Sequence, residues 1–223
     1  MDTLAFEYWS DPLCIWAFVA QSKLEHVLDR WERCIDVRYH VVPIFGSVVG
    51  RLRDGVWAKQ GVEGRAETTR RVAAAQGRED VSGAIWLDDC PASSWPPCVA
   101  LKAVFAMESV EEIAPGSGAA YQLAMRERFF IENKNVARRS EQLTLAEALE
   151  LPRASLERRL DDGSAAAALW EDHERRESMR IQGSPTYVFE GGRAMLYGNF
   201  PVHVLTATVA ELVAGLDLGG SPC

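Results

Sequence analysis

The chain has 223 residues, 48% of them hydrophobic, with 24 Lys and Arg set against 32 Asp and Glu for a net charge of −8. A chain of this size and composition buries a substantial core, and its acidic balance argues against a nucleic acid or an anionic membrane as partner, since either would need a basic surface. No apolar run approaches the roughly 18 residues of a membrane span and no positive n-region opens the sequence, so a cytoplasmic protein with reduced thiols is expected.

Residues 4–9 alternate Leu4, Phe6, Tyr8 against Ala5, Glu7, Trp9, a strand pattern. Asp11-Pro12 makes a turn. From Cys14 the period becomes helical, with Trp16, Val19, Ala20, Leu24, Val27, Leu28 and Trp31 recurring at three and four. Residues 36–43 alternate again and stop at a proline, which gives strand, helix, strand, with parallel pairing through a right-handed crossover. No convincing strand follows between 46 and 180. Segments 67–76, 97–107, 119–131, 140–149 and 154–180 read as helices, the last broken at Asp161-Asp162-Gly163-Ser164 with Ser164 as N-cap; residues 115–118 form a loop. The basic pairs Arg70-Arg71, Arg138-Arg139, Arg158-Arg159 and Arg175-Arg176 have acidic neighbours and read as solvated helix faces. The ending is β again: a strand at 186–189, a glycine turn at 190–193, a return strand at 194–197, then a helix to about 214 with Asn199 as its N-cap. The plan is βαβ, a helical insertion, and ββα.

Cys14 is the first candidate site. At a helix start, unpaired N–H groups and partial positive charge stabilise a thiolate, and such placement lowers a cysteine pKa from ~8.5 into the range ~3.5–7.5. The alternative is a cysteine that packs as a small hydrophobe. Ala17 stands where a redox pair would place its second sulfur. The second candidate is Gly183-Ser184-Pro185-Thr186, where a helix ends and a proline precedes a strand. A cis Ser184–Pro185 bond would leave the Ser184 backbone free to pair with an extended ligand; an ordinary trans proline opening an edge strand is the alternative, cis being found at only ~5–6% of such bonds.

The five cysteines (Cys14, Cys34, Cys90, Cys98, Cys223) and four histidines have no metal-ligand spacing, so no metal is expected. Cys90 sits in a polar loop and reads as exposed. Cys34 lies after the first helix, away from Cys14, and Cys223 in the tail. Trp16 and Trp95 either line a pocket for a flat apolar substrate or belong to the core with Trp57, Trp86 and Phe200. Asn199 either touches a ligand or only caps. Lys134, Asn135, Arg138 and Arg139 could hold a carboxylate, though nothing in their spacing singles them out.

Three segments together carry a resemblance: Ser10-Asp11-Pro12-Leu13-Cys14-Ile15-Trp16-Ala17, Gly183-Ser184-Pro185-Thr186, and Pro91-Ala92-Ser93-Ser94-Trp95-Pro96-Pro97-Cys98 followed by Val99-Ala100-Leu101-Lys102-Ala103. In this order along the chain they resemble the DsbA family of thioredoxin-like proteins, a group that also holds 2-hydroxychromene-2-carboxylate isomerases and kappa-class glutathione transferases. The resemblance implies a thioredoxin-like α/β fold from residues 1–45 and 183–216, an α-helical insertion over 46–182, and a flexible tail at 217–223. It also implies a cis Pro185 facing Cys14 and a roof helix that brings Cys98 near the site, either as a second sulfur or as a packed core residue. Two departures matter. Ala17 replaces the second sulfur of the redox members, and Cys14 replaces the serine usual in the isomerases and kappa transferases.

The function implied is a thiol-dependent enzyme acting on a small molecule, most concretely cis–trans isomerisation of a conjugated double bond. Cys14 would be the nucleophile, or would orient a bound thiol. Ser10, Asp11, Trp16, Trp95, Cys98, Ser184, Pro185, Thr186 and Asn199 would hold substrate or thiol. No cofactor is required beyond glutathione or a similar thiol, and a homodimer is compatible with this reading. The alternatives are a monothiol disulfide oxidoreductase that uses an external thiol, and a catalytically silent binding module.

Overall fold

A computed structural model describes residues 3–218. In chain order the elements are β1 (Leu4–Ser10), α1 (Ile15–Val19), α2 (Gln21–Arg30), β2 (Ile35–Val41), α3 (Val48–Arg53), α4 (Gly61–Ala74), α5 (Ile85–Asp88), α6 (Trp95–Ser109), α7 (Ser117–Phe130), α8 (Arg139–Ala148), α9 (Arg153–Asp161), α10 (Ser164–Met179), β3 (Thr186–Phe189), β4 (Ala194–Tyr197) and α11 (Val202–Leu218). The sheet order is β2-β1-β3-β4. β1 runs parallel to β2 and antiparallel to β3, and β4 pairs antiparallel with β3. This is the thioredoxin-like α/β plan, with the helices from α3 to α10 inserted between its halves.

The alternation in β1 assigns its two faces. Leu4, Phe6 and Tyr8 point to one side, where they pack with Leu24 and Val27 of α2 and Leu205, Val209 and Leu212 of α11. Phe6 stacks on Phe189 across the strand pair with ring centroids 4.8 Å apart. The other face carries Glu7 and Trp9, with Ile181 and Val188 packed against the indole. Trp9 stacks on His40 at 4.2 Å. His40 Nδ1 lies 2.8 Å from Asp172 Oδ1 of α10, while Asp172 Oδ2 accepts from the Val41 N–H at 2.8 Å and pairs with Lys102 of α6 at 2.9 Å. Arg175 pairs with the buried Glu7. These bonds fix α6 and α10 on the second face of the sheet. Burial opposes ionisation of Asp172, but His40, Lys102 and the Val41 N–H overcome it and hold the carboxyl below its usual range. The largest apolar cluster extends from Leu13–Val19 through the inserted helices to Leu169.

Several expected local features differ. The first helix is two: α1 stops at Val19, and α2 restarts after Ala20. α3 and α5 are short helices without sequence periodicity to announce them, and α4 begins at Gly61, six residues early. Ser164 is the first residue of α10 rather than its cap. Gly163 precedes it at φ 83°, and Asp162 Oδ1 accepts the Ser164 N–H at 2.8 Å instead. Asn199 does not cap α11, which starts after Pro201; its amide bridges Lys23 (2.7 Å) and Gln76 (3.2 Å). Arg175 is not on a purely solvated face, since Glu7 fixes it. Arg70, Arg138 and Arg139 do lie in surface ion pairs, with Glu67, Asp89 and Asp161, whereas Arg159 is largely buried against Ser155 and Glu112. The turn after β3 takes left-handed backbone at Gly191 (φ 63°) and Gly192 (φ 111°), as only glycine does without strain. α11 runs to Leu218, past its expected end near 214 and into the expected tail at 217–223; the rest of that tail, with Cys223, lies outside the described residues. Among the described residues no helix is long and apolar enough to cross a membrane.

Candidate active site

Cys14 occupies the N-cap position of α1, with extended backbone (φ −85°, ψ 111°) that follows from the Asp11-Pro12 turn. Its sulfur lies near the Trp16 and Ala17 N–H groups at the start of α1 without a well-formed capping bond. It points across to the loop before β3, where Sγ donates to the Ser184 carbonyl oxygen at 3.1 Å. The Ser184–Pro185 bond is cis, so the alternative of an ordinary trans proline falls.

The expected ionised thiol is not what the site contains. Cys14 is 3% exposed. Burial pushes its pKa up, Asp11 adds to this, and the opposing influence of Ser184 and of the nearby Ala17 and Trp16 N–H groups does not overcome it. The physical reason is plain. α1 has only five residues, so its dipole is small, and removal from water dominates. The thiol is protonated at neutral pH.

Asp11 forms the floor. It is fully buried; Oδ1 accepts the Leu13 N–H at 2.7 Å, and Oδ2 accepts the Phe45 N–H at 3.1 Å and the Ser94 hydroxyl at 2.6 Å. Its own N–H donates to Ser184 Oγ at 2.9 Å. Desolvation still raises its pKa to about 6 against these bonds. One residue thus ties together four segments: its carboxylate holds the Cys14 turn, the segment after β2 and the start of α6, and its backbone N–H holds the cis-proline loop. Beneath it, Ser10 Oγ accepts from Arg126 (2.6 Å) and Gln122 (3.1 Å) of α7, and the wholly buried Arg126 also donates to Gln21 at 2.7 Å.

The proline side is equally fixed. The Thr186 hydroxyl donates to the Gly183 carbonyl at 2.8 Å, and the Gly198 N–H donates to the Pro185 carbonyl at 2.8 Å. Thr186 is fully buried, and its hydroxyl holds the loop. Gly183 is needed because a Cβ there would lie 2.7 Å from Tyr197 Oη. Outside this layer runs an open groove of about 330 Å³, lined by Trp16, Ser184, Tyr197, Gly198 and Asn199. Trp16, 45% exposed, forms one wall.

Of the remaining expected residues, Trp95 is 39% exposed at the start of α6 but does not line this groove. Cys98 is fully buried in α6, and burial raises its thiol pKa well above the ordinary value. The core role is the one it fills; Cys14, Cys34, Cys90 and Cys98 are all free thiols. Cys90 is half-buried, not exposed. Trp86 is core and Trp57 is half-buried against it. Phe200 packs on the α2–α11 cluster. Asn135 and Arg138 bond Asp89, and Arg139 pairs with Asp161, which leaves that group a structural one. Among the described residues no cluster of three His, Cys, Asp or Glu offers a metal site. Ser94, Gln122 and Arg126 were invisible to local pattern, since each meets the site from 80 or more residues away.

Comparison with known proteins agrees with this fold. The DSBA-like thioredoxin domain matches residues 99–210, and the chain belongs to that family. A curated relative, the ClpXP adapter protein SpxH of Halalkalibacterium halodurans, is 24% identical over 216 residues; the match spans 91% of this chain and 65% of the relative, just under two thirds of its length. Two solved structures share the fold. The cytosolic disulfide reductase DsbM from Pseudomonas aeruginosa, solved with GSH, is 22% identical with a TM-score of 0.64 over 97% of this chain and 98% of that one. A 2-hydroxychromene-2-carboxylate isomerase is 15% identical with a TM-score of 0.65 over 97% and 100%.

Proposed function

We propose that this protein is a thiol-dependent enzyme acting on a small molecule, in which a glutathione-like thiol binds along Ser184 and Pro185 and catalyses cis–trans isomerisation of a conjugated double bond. One observation carries this reading: the Cys14 thiol is buried and already donates to the Ser184 oxygen. Such a thiol is a weak nucleophile and a good donor. When an external thiolate lies in the groove beside Ser184, Cys14 Sγ–H turns to donate to its sulfur. The isomerases and kappa transferases that the chain resembles carry another donor, serine, at this place.

The chemistry then belongs to the bound thiol. Its sulfur adds to the electron-poor carbon of an enoyl or dienoyl group, and the electron pair of the double bond moves to the carbonyl end. The bond, now single, rotates; the electrons return and expel the thiolate unchanged. Nothing is oxidised or reduced, so no second sulfur is needed, which suits Ala17. Trp16 and Tyr197 supply apolar walls for a flat substrate. A reduced co-thiol fits a cytoplasmic enzyme.

A second reading is monothiol exchange, favoured by the sulfur being kept at position 14 and by the GSH-bound relative. There the Cys14 thiolate attacks a disulfide, forms a mixed disulfide and releases one thiol, and a second external thiol frees Cys14. The test is turnover of a cis-dienoic acid with reduced glutathione. Isomerisation requires that Cys14→Ser retain turnover and Cys14→Ala lose it by about a hundredfold. If Cys14→Ser is dead and the native protein traps a Cys14–glutathione disulfide by mass, exchange is the function. Absence of both activities leaves a binding module.

A further inference from the structure

A second set of side chains, packed close to the Asp11 end of the site, has no task in the chemistry above. Arg65 lies on α4, the helix that packs on α1. It is 8% exposed, and its Nε is buried without a partner. Its guanidinium carbon sits 4.6 Å from the Trp57 ring centroid, 4.9 Å from Trp86 and 5.6 Å from Phe45. Arg51 of α3 covers two of the same rings, Phe45 at 5.2 Å and Trp57 at 5.4 Å, and donates to the Ile44 carbonyl. Two cations thus share one aromatic cage. Among the described residues, none of the ion pairs includes either of them.

That arrangement is physically incomplete. Ring faces attract a guanidinium, but they accept nothing from its in-plane N–H groups, and an unmade hydrogen bond on a buried charged donor is costly. Two like charges on the same rings add repulsion. A core built for stability alone would use Leu or Met here. What completes the cage is an anion with two acceptors in one plane, because the guanidinium fork matches a carboxylate.

The cage is also joined to the site. Phe45, whose ring carries both arginines, gives its backbone N–H to Asp11, the floor of the Cys14 turn. Burial and Arg51 pull the Arg65 pKa down to about 10 and Asp11 opposes this, so the cation persists at neutral pH.

We propose that Arg65 and Arg51 form an anion subsite that takes the carboxylate of the small molecule handled at Cys14. This rests on the small-molecule reading of the site, and its test is independent of turnover. Iodoacetate and iodoacetamide differ in charge and little in size. Each converts Cys14–SH to a thioether, releasing iodide and a proton. Site-resolved mass spectrometry gives the rate of each at Cys14, without any added thiol.

The iodoacetate-to-iodoacetamide rate ratio, normalised to free cysteine, is expected to be raised about tenfold. Arg65→Gln and Arg51→Gln return it towards that of cysteine, and Arg65→Lys keeps the larger part. Sodium acetate, against sodium chloride at equal ionic strength, lowers the ratio in the unaltered protein, which needs no variant to fold. A native ratio at or below that of cysteine, or one that Arg65→Gln and acetate leave unmoved, overturns the subsite. A normal ratio with intact thiol-dependent turnover defeats only the subsite; a raised ratio without turnover defeats only the reaction.

Discussion

Asp11 and Ser94 are joined by a 2.6 Å hydrogen bond between groups 83 residues apart. Ser94 precedes α6 and its hydroxyl makes no cap there; it serves the carboxylate of the Cys14 turn instead. The bond binds the inserted helices to the thioredoxin-like half at the site itself, and it is one of the contacts that must stabilise a carboxylate out of water.

The pH dependence of stability has a definite sign at Asp11. Its folded pKa, about 6, exceeds the ordinary 3.8, so between these values the folded state binds more protons than the unfolded. Stability contributed by this group therefore falls as pH rises from about 4 to about 6, by at most about 3 kcal/mol, and is level above. Urea unfolding of the native protein and Asp11→Asn at pH 4 to 7 should show this descending component in the first and not in the second.

Asp172 works the other way. Its depressed pKa gives stability that is present above the ordinary carboxylate range and lost as pH falls through it. Asp172→Ala strands Lys102, His40 and the Val41 N–H, and should cost roughly 3 kcal/mol at pH 7, read by denaturant midpoint at constant m.

Thiol labelling of the folded protein should follow burial. Cys34 and Cys90 are half-buried, whereas Cys14 and Cys98 are buried. Iodoacetamide at pH 8 is expected to modify the first two before Cys14, and Cys98 only on unfolding. Mapped mass spectrometry checks this; Cys14 reacting first would mean that its thiol is ionised after all.

Ala17 is the missing half of a redox pair. Its N–H faces the Cys14 sulfur, so Ala17→Cys should place a second sulfur within disulfide reach. With oxidised glutathione the variant should lose two thiols, and it should reduce insulin at least tenfold faster than the native chain.

How much of this was legible beforehand depends on range. β1 and β2 announced themselves by alternation, β3 and β4 by strand-forming residues on either side of a glycine turn, and the long helices by composition, because those signals are local. The cis bond at Pro185 was legible only through family resemblance, since Ser184-Pro185 alone leaves both forms open. The acidity of Cys14 was misread: its place at a helix start is local, but its depth is decided by Ser184 and the inserted helices, which arrive much later in the chain. Arg65 and Arg126 carried no signal at all. An arginine in a helical segment looks solvated until the tertiary fold closes over it.

Gly183 has a consequence for specificity. Any β-carbon there collides with the Tyr197 phenol, which forms a wall of the groove. The bore of that channel is therefore governed from behind by an absent side chain. Gly183→Ala would swing the aromatic ring outward and retune which molecules enter, although the altered residue never meets them.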